Sequence, residues 1–112
     1  MIVQATYSKD AVLYIKASGK LDIYNAPDYL EEVKEHLKKY ANEYVLDFSE
    51  ITFVASIGLR AILSIYKIAK AKGCSLKLIN VNKDILHSFQ ITGFDEFLTI
   101  ENDSENQNTE QN

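Results

Sequence analysis

Tryptophan is absent, and cysteine, proline and methionine occur once each in the 112 residues. With Cys74 alone, no intrachain disulfide can form and no cysteine-based zinc site can be built. A lone thiol fits a reducing compartment. No apolar run approaches about 18 residues, so no membrane-spanning helix is expected. The start, MIVQATYSKD, lacks a basic segment followed by an apolar one, so no signal peptide is expected and the expected location is the cytoplasm. Arg60 is the single arginine among twelve basic residues, so forked phosphate contacts are scarce. Formal net charge is −4, and Asp103, Glu105 and Glu110 near the C-terminus account for three of those charges. The near-neutral remainder has no field for drawing in nucleic-acid phosphates, so no direct nucleic-acid partner is expected.

Catalytic signatures are missing as well. There is no G-x-G-x-x-G fingerprint, no G-x-x-x-x-G-K-[ST] phosphate loop and no G-x-S-x-G nucleophile elbow. His36 and His87 are not paired at ligand spacing, and residues 2–10 offer only Asp10 where a phosphoaspartate site needs paired acids. Cys74 follows Gly73 at a strand start, a place for a small hydrophobe. Neither an enzyme, a metal site nor a cofactor is expected.

What is present is an alternation of strand and helix patterns. Residues 2–7 and 11–18 read as two strands joined by a short polar connection, an antiparallel hairpin, with Gly19 ending the second. In the second strand Leu13, Ile15 and Ala17 share one face. Asn25 is a candidate N-cap with Pro27 in the first turn of a helix, whose apolar stripe is Ala26, Leu30, Val33, Leu37 and Ala41. Residues 44–48 (YVLDF) read as a buried central strand. Residues 58–72 form a second helix with a core stripe of Leu59, Ile62, Leu63, Tyr66 and Ala69. Ile57, Ala61, Ile65 and Ile68 extend its apolar surface toward a partner or a neighbouring helix. A strand at 75–81, a short helix capped by Asn82 and closed by Gly93, and an edge strand at 97–100 complete the body.

The expected fold is α/β: one domain over residues 1–101, with a mixed sheet of four to five strands and helices mainly on one face. Helix-length connections imply right-handed crossovers between parallel strands. Residues 102–112 have no apolar residue and are expected to form a disordered acidic and polar tail.

One position stands out. In Phe53-Val54-Ala55-Ser56-Ile57-Gly58-Leu59-Arg60 a buried strand gives way to a helix, with Ser56 at or next to the N-cap. Its plain role is to cap that helix, worth about 1 kcal/mol. The stretch FVASIGLRAILSIYKIAKAKG nevertheless resembles the signature of the STAS domain, the fold of bacterial anti-sigma factor antagonists. GKLDIYNAP (19–27), YVLDFSEITFV (44–54) and GCSLKLINVNKDILHSFQITGFDEFLTI (73–100) resemble further parts of that domain, in the same order.

The resemblance implies a phosphorylation switch. The partner would be an anti-sigma factor that is also a serine kinase, with a serine phosphatase as the resetting partner. The phosphorylated serine of the family's Asp-Ser-[Ser/Thr]-Gly-Leu-Gly motif corresponds to Ser56, with Gly58 and Leu59 matching the next glycine and leucine. Ala55, Ile57 and Arg60 stand where the motif has aspartate, a hydroxyl residue and glycine. Asp22, Tyr24, Asn25, Ala55, Ile57, Gly58, Arg60 and Ala61 are the expected partner contacts. The alternative is a STAS subunit that is never phosphorylated, for example beside a transporter ATPase.

Overall fold

The structure, a computed structural model, describes residues 1–102. In chain order it runs β1 (Val3–Tyr7), β2 (Val12–Leu21), α1 (Ala26–His36), β3 (Glu43–Val54), α2 (Ser56–Ala71), β4 (Ser75–Ile79), α3 (Lys83–Thr92), a 3-10 turn (Phe94–Glu96) and β5 (Thr99–Glu101). The five strands lie in the sheet in sequence order. β1 is antiparallel to β2, and every later neighbour is parallel. Each crossover therefore advances one strand in the same direction, and right-handed connections then stack the helices on one face. Burial agrees: Leu13, Ile15 and Ala17 are buried, whereas Tyr14 and Ser18 on the other side of β2 are exposed.

Strand and helix limits differ from the sequence pattern in instructive places. β2 does not stop at Gly19. It continues to Leu21 through two register shifts against β3, and Gly19 takes φ +116°, a conformation side chains disfavour. β3 is twelve residues long and likewise runs on, to Val54. The local pattern from Ser49 onward has no period-two alternation because the bulged pairing breaks it. Pairing of Lys20 with Phe53 and of Leu21 with Val54 carries both strands to a common end. β4 stops at Ile79, where Asn80 turns the chain with φ +59°. α3 is capped as expected: Asn82 Oδ1 accepts from the Ile85 N–H at 2.9 Å, and Gly93 closes it in the left-handed region.

The buried arc of α2 is Gly58, Ala61, Ile62, Ile65 and Ala69. Leu59, Leu63 and Tyr66, expected in the core stripe, are half-buried, and Tyr66 packs its ring 4.9 Å from Phe97. The arc rotates because α2 packs on α1 as well as on the sheet. Ala61 and Ile65 are thereby buried within the fold. On α1 the same sharing buries Tyr29 and leaves Leu30 half-buried. Lys72 locks the two helices together, donating to the Leu37 carbonyl and, at 2.7 Å, to the Tyr44 hydroxyl oxygen.

Asn102, assigned to the tail by sequence, is part of the body. Its side chain accepts from the Val81 N–H at 2.8 Å and donates to the Val81 carbonyl at 2.9 Å. The remainder of the expected tail, 103–112, lies outside the described residues.

Tyr29 is 1% exposed, and among the described residues its hydroxyl has no hydrogen-bond partner. Burial pushes the phenol well above its ordinary value. The unfolded chain releases this proton from about pH 10 while the folded chain retains it, so stability falls as pH rises past that point. Tyr29→Phe is expected to be neutral or stabilising by up to about 1 kcal/mol at pH 7, since it removes an unsatisfied polar group. It should also move alkaline unfolding to higher pH, as followed by circular dichroism.

Candidate functional site

The site is built where β2 and β3 end together. The Ala55 N–H donates to the Leu21 carbonyl at 2.9 Å, which joins the β2–α1 and β3–α2 loops. Ala55 itself is the N-cap of α2, with an extended backbone (φ −84°, ψ 176°) and no side-chain cap. Its carbonyl accepts the Leu59 N–H at 3.0 Å. Ser56 is the first helical residue and is exposed. The plain capping role considered for Ser56 is thus not the one it fills, and its hydroxyl has no hydrogen-bond partner among the described residues. The first turn holds no acidic residue. Among the described residues, three N–H groups without an intrahelical partner and the positive end of a 16-residue helix dipole therefore stand uncompensated beside a solvent-facing hydroxyl.

Gly58 explains how the helix start comes so close to the sheet. A Cβ there would lie 2.6 Å from the Leu21 carbonyl oxygen, 2.8 Å from Leu21 Cβ and 2.9 Å from Val54 Cγ1. Gly58 is therefore a packing residue buried in the fold, which is a role the sequence reading did not give it beside the expected partner contact. Ala61, at 4% exposure, is buried as well.

The β2–α1 loop is held from inside. Asp22 Oδ1 accepts from the N–H groups of Tyr24 (3.1 Å) and Asn25 (3.0 Å), and its carbonyl accepts from Ala26 N–H (2.8 Å). Asn25 occupies the N-cap position of α1, but its side chain does not cap it and donates instead to the Lys20 carbonyl at 3.0 Å. Asp22 and Asn25 shape the loop, and the side chains it presents are Ile23 and Tyr24, at 67% and 83% exposure. Ile23 was not picked out by sequence, nor was Phe53, half-exposed at the end of β3. The signal for Phe53 is its position next to buried Val54 on the strand, since neighbours on a strand face opposite ways.

On the other flank, Ile57, Arg60, Ala61 and Ser64 of α2 face Ala26, Pro27 and Leu30 of α1 across a groove of about 220 Å³. Ile57 is half-buried and Arg60 exposed on its rim.

Displaced carboxylates lie elsewhere. The Ser18 hydroxyl and Lys16 hold Glu50 below its ordinary value. Burial raises Asp47, but hydrogen bonds from the Ser49 N–H and Asn80 outweigh it and keep the group low. Among the described residues no group of three metal-ligating side chains converges, and no helix is long and apolar enough to cross a membrane.

The family model of the STAS domain matches residues 4–107. The anti-sigma-B factor antagonist of Bacillus subtilis is 28% identical over 93 residues, covering 83% of this chain and 84% of that protein. Its Listeria monocytogenes counterpart is 25% identical over 88 residues, covering 79% and 77%. Among solved structures, an anti-sigma factor antagonist from Mycobacterium paratuberculosis superposes with a TM-score of 0.78 at 19% identity, covering 88% of this chain and 83% of that one. The Bacillus cell fate determinant SpoIIAA, in its phosphorylated form, gives 0.67 at 16%, covering 94% and 96%. A sulfate transporter family protein from Wolinella succinogenes gives 0.73 at 15%, covering 89% and 84%. At these identities the superpositions speak for the fold.

Proposed function

Because the chain belongs to the STAS domain family, we propose that it is an anti-sigma factor antagonist switched by phosphorylation of Ser56. Unmodified, it binds an anti-sigma factor serine kinase and so releases a sigma factor. The kinase transfers the γ-phosphoryl group of ATP to Ser56 Oγ, the hydroxyl proton leaves to the kinase, and ADP departs. A serine phosphatase returns the chain to its binding form. This chain needs no cofactor and performs no turnover in the cycle.

The observation that carries the reading is the exposed hydroxyl, unbonded among the described residues, at the first position of a helix with no side-chain cap. A phosphoserine adds about −1.5 to −2 charges at neutral pH. The free N–H groups and dipole of α2 favour that charge by roughly 0.3–1 kcal/mol. Phosphorylation therefore leaves the fold intact and acts at the interface, where a dianion buried against an unprepared surface costs several kcal/mol. Ile57 next to Ser56, with Ile23 and Tyr24 on the β2–α1 loop that Ala55 joins through the Leu21 carbonyl, supplies the apolar and aromatic contacts such an interface uses.

The test is incubation with the cognate kinase and ATP, followed by intact-mass analysis and peptide mapping. One phosphate on Ser56 is expected; phosphate on Ser49, Thr52 or Ser64 with Ser56 unmodified overturns the assignment. Similarity to a sulfate transporter family protein, with Ala55 and Ile57 replacing motif residues, favours a second reading as an unphosphorylated interaction subunit. No mass change under the same treatment supports that reading.

Arg60 supplies a further prediction. It lies four residues after Ser56, on the same face of α2, and helical side chains lean toward the N-terminus. Its guanidinium is expected to reach the phosphate and hold the second phosphate pKa down. Phosphorus NMR of the phosphorylated chain should show that pKa rising in Arg60→Ala. Superimposable titrations mean that Arg60 serves the partner instead.

A further inference from the structure

The sheet has two edges, and they are not alike. β5 is three residues long, and its Glu101 is paired with Lys77 at 3.0 Å, so that edge is short and charged. β1 (Val-Gln-Ala-Thr-Tyr) contains no charge, no proline and no bulge, and it keeps an unbroken register with β2 from Val3–Ala17 to Tyr7–Leu13. Those are the devices that protect an edge strand from pairing, and β1 has none of them.

Which groups face outward follows from the hairpin. The Ser8 N–H donates to the Val12 carbonyl at 2.9 Å, so Ser8 and Val12 form a hydrogen-bonded pair. Antiparallel ladders alternate, so Thr6 and Gln4 are also bonded toward β2. The N–H and C=O groups of Val3, Ala5 and Tyr7 then point away from the sheet.

Exposed apolar side chains gather at the same edge. Ile2 and Tyr7 are 77% and 47% exposed. Tyr7 donates its hydroxyl to the carbonyl of exposed Tyr40, and exposed Tyr14 lies opposite Thr6 on β2. Half of the eight large exposed hydrophobic residues among the described ones thus lie on or beside this single five-residue strand.

We propose that β1 is a homodimer interface, at which a second copy of this chain adds its own β1 antiparallel across a two-fold axis at Ala5. The strand is complementary to itself. With Ala5 on the axis, Val3 faces Tyr7 of the second copy and Tyr7 faces its Val3, so all three outward pairs are hydrogen-bonded pairs, about six bonds in total. On the helix-covered face this makes two aromatic–β-branched pairs, a favourable cross-strand combination. On the open face Gln4 meets Thr6 twice. A neutral strand brings no like charges together, and the result is one continuous ten-stranded sheet. Ser56 takes no part, so the interface and the phosphorylation switch stand or fall separately.

A ribbon of this size is at the small end of specific interfaces, so a dissociation constant between about 10 μM and 1 mM is expected. Sedimentation equilibrium of the full chain should show a monomer–dimer equilibrium in that range. Ala5→Pro deletes an outward N–H and leaves every β1–β2 bond in place, a position edge strands tolerate. It should be monomeric at every concentration, with the circular dichroism and melting temperature of the parent at low concentration. Amide exchange of the unaltered chain gives a second readout that needs no folded variant. Protection of the Val3, Ala5 and Tyr7 amides should rise with concentration, while that of Gln4 and Thr6 stays constant. A chain that remains monomeric to about 1 mM, or a dimer that persists in Ala5→Pro, overturns the proposal.

Discussion

Gly58→Ala is expected to lower the stability of the folded chain by about 2 kcal/mol, equivalent to a melting temperature roughly 10 °C lower. The backbone of Gly58 is helical, so the reason is space, not conformation. An added methyl would meet the Leu21 carbonyl oxygen and Leu21 Cβ as well as the Val54 side chain, all inside 3.0 Å. Two of those three are backbone or Cβ positions that cannot rotate away, so α2 must lift from the ends of β2 and β3. The helix propensity gained on replacing glycine, about 1 kcal/mol, offsets only part of that cost. Because Ser56 is two residues away, the shift also moves the proposed phosphoacceptor. Differential scanning calorimetry gives the stability, and the rate of phosphorylation by the kinase gives the displacement. A variant as stable as the parent would mean that the start of α2 slides freely on the sheet.

Ser56→Asp is expected to weaken binding to the unphosphorylated-state partner at least tenfold, while leaving the fold as stable or slightly more stable. Aspartate at the first helical position meets the free N–H groups of a helix with no acid in its first turn, worth roughly 0.3–1 kcal/mol. The same charge at the interface must be desolvated against a surface matched to a hydroxyl, and 1.4 kcal/mol suffices for a factor of ten. Ser56→Ala should bind as the parent does and accept no phosphate. Titration calorimetry with the kinase separates the cases: equal affinities for the aspartate variant and the parent would remove charge as the switch.

The two variants differ in what sequence could have told about them. Ser56 was visible from its motif and from its place between a strand pattern and a helix pattern. Gly58 was visible only as a motif residue, and its expected role was partner contact. What it touches depends on Leu21, 37 residues earlier, and that proximity arises from the extension of β2 and β3 beyond their locally readable ends. Asn25 shows the same limit. Its type and position suggest a side-chain cap, yet the lone acceptor it could use for capping is set aside, because its amide reaches the Lys20 carbonyl across the turn. Asp22, two residues before Tyr24, organises that loop by accepting from the Tyr24 and Asn25 N–H groups, an Asx-turn role beside its expected one as a partner contact.

Order and kind of the elements followed from the sequence by itself. Period-two and period-3.6 apolar patterns, Asn82 and Gly93 at the limits of α3, and the polar break after Tyr7 are local properties, and each acts within a few residues. The right-handed crossover then leaves few arrangements for parallel strands joined by helices. Only the tertiary structure decided which arc of α2 is buried, because that depends on α1 sharing the contact and turning Ala61 and Ile65 inward. It alone decided that Gly19 sits within a bulged strand and that Asn102 belongs to the body. It alone left the outward groups of β1 without a strand beside them among the described residues. In each case the deciding neighbour is distant along the chain, and burial and hydrogen bonding are settled by what is near in space.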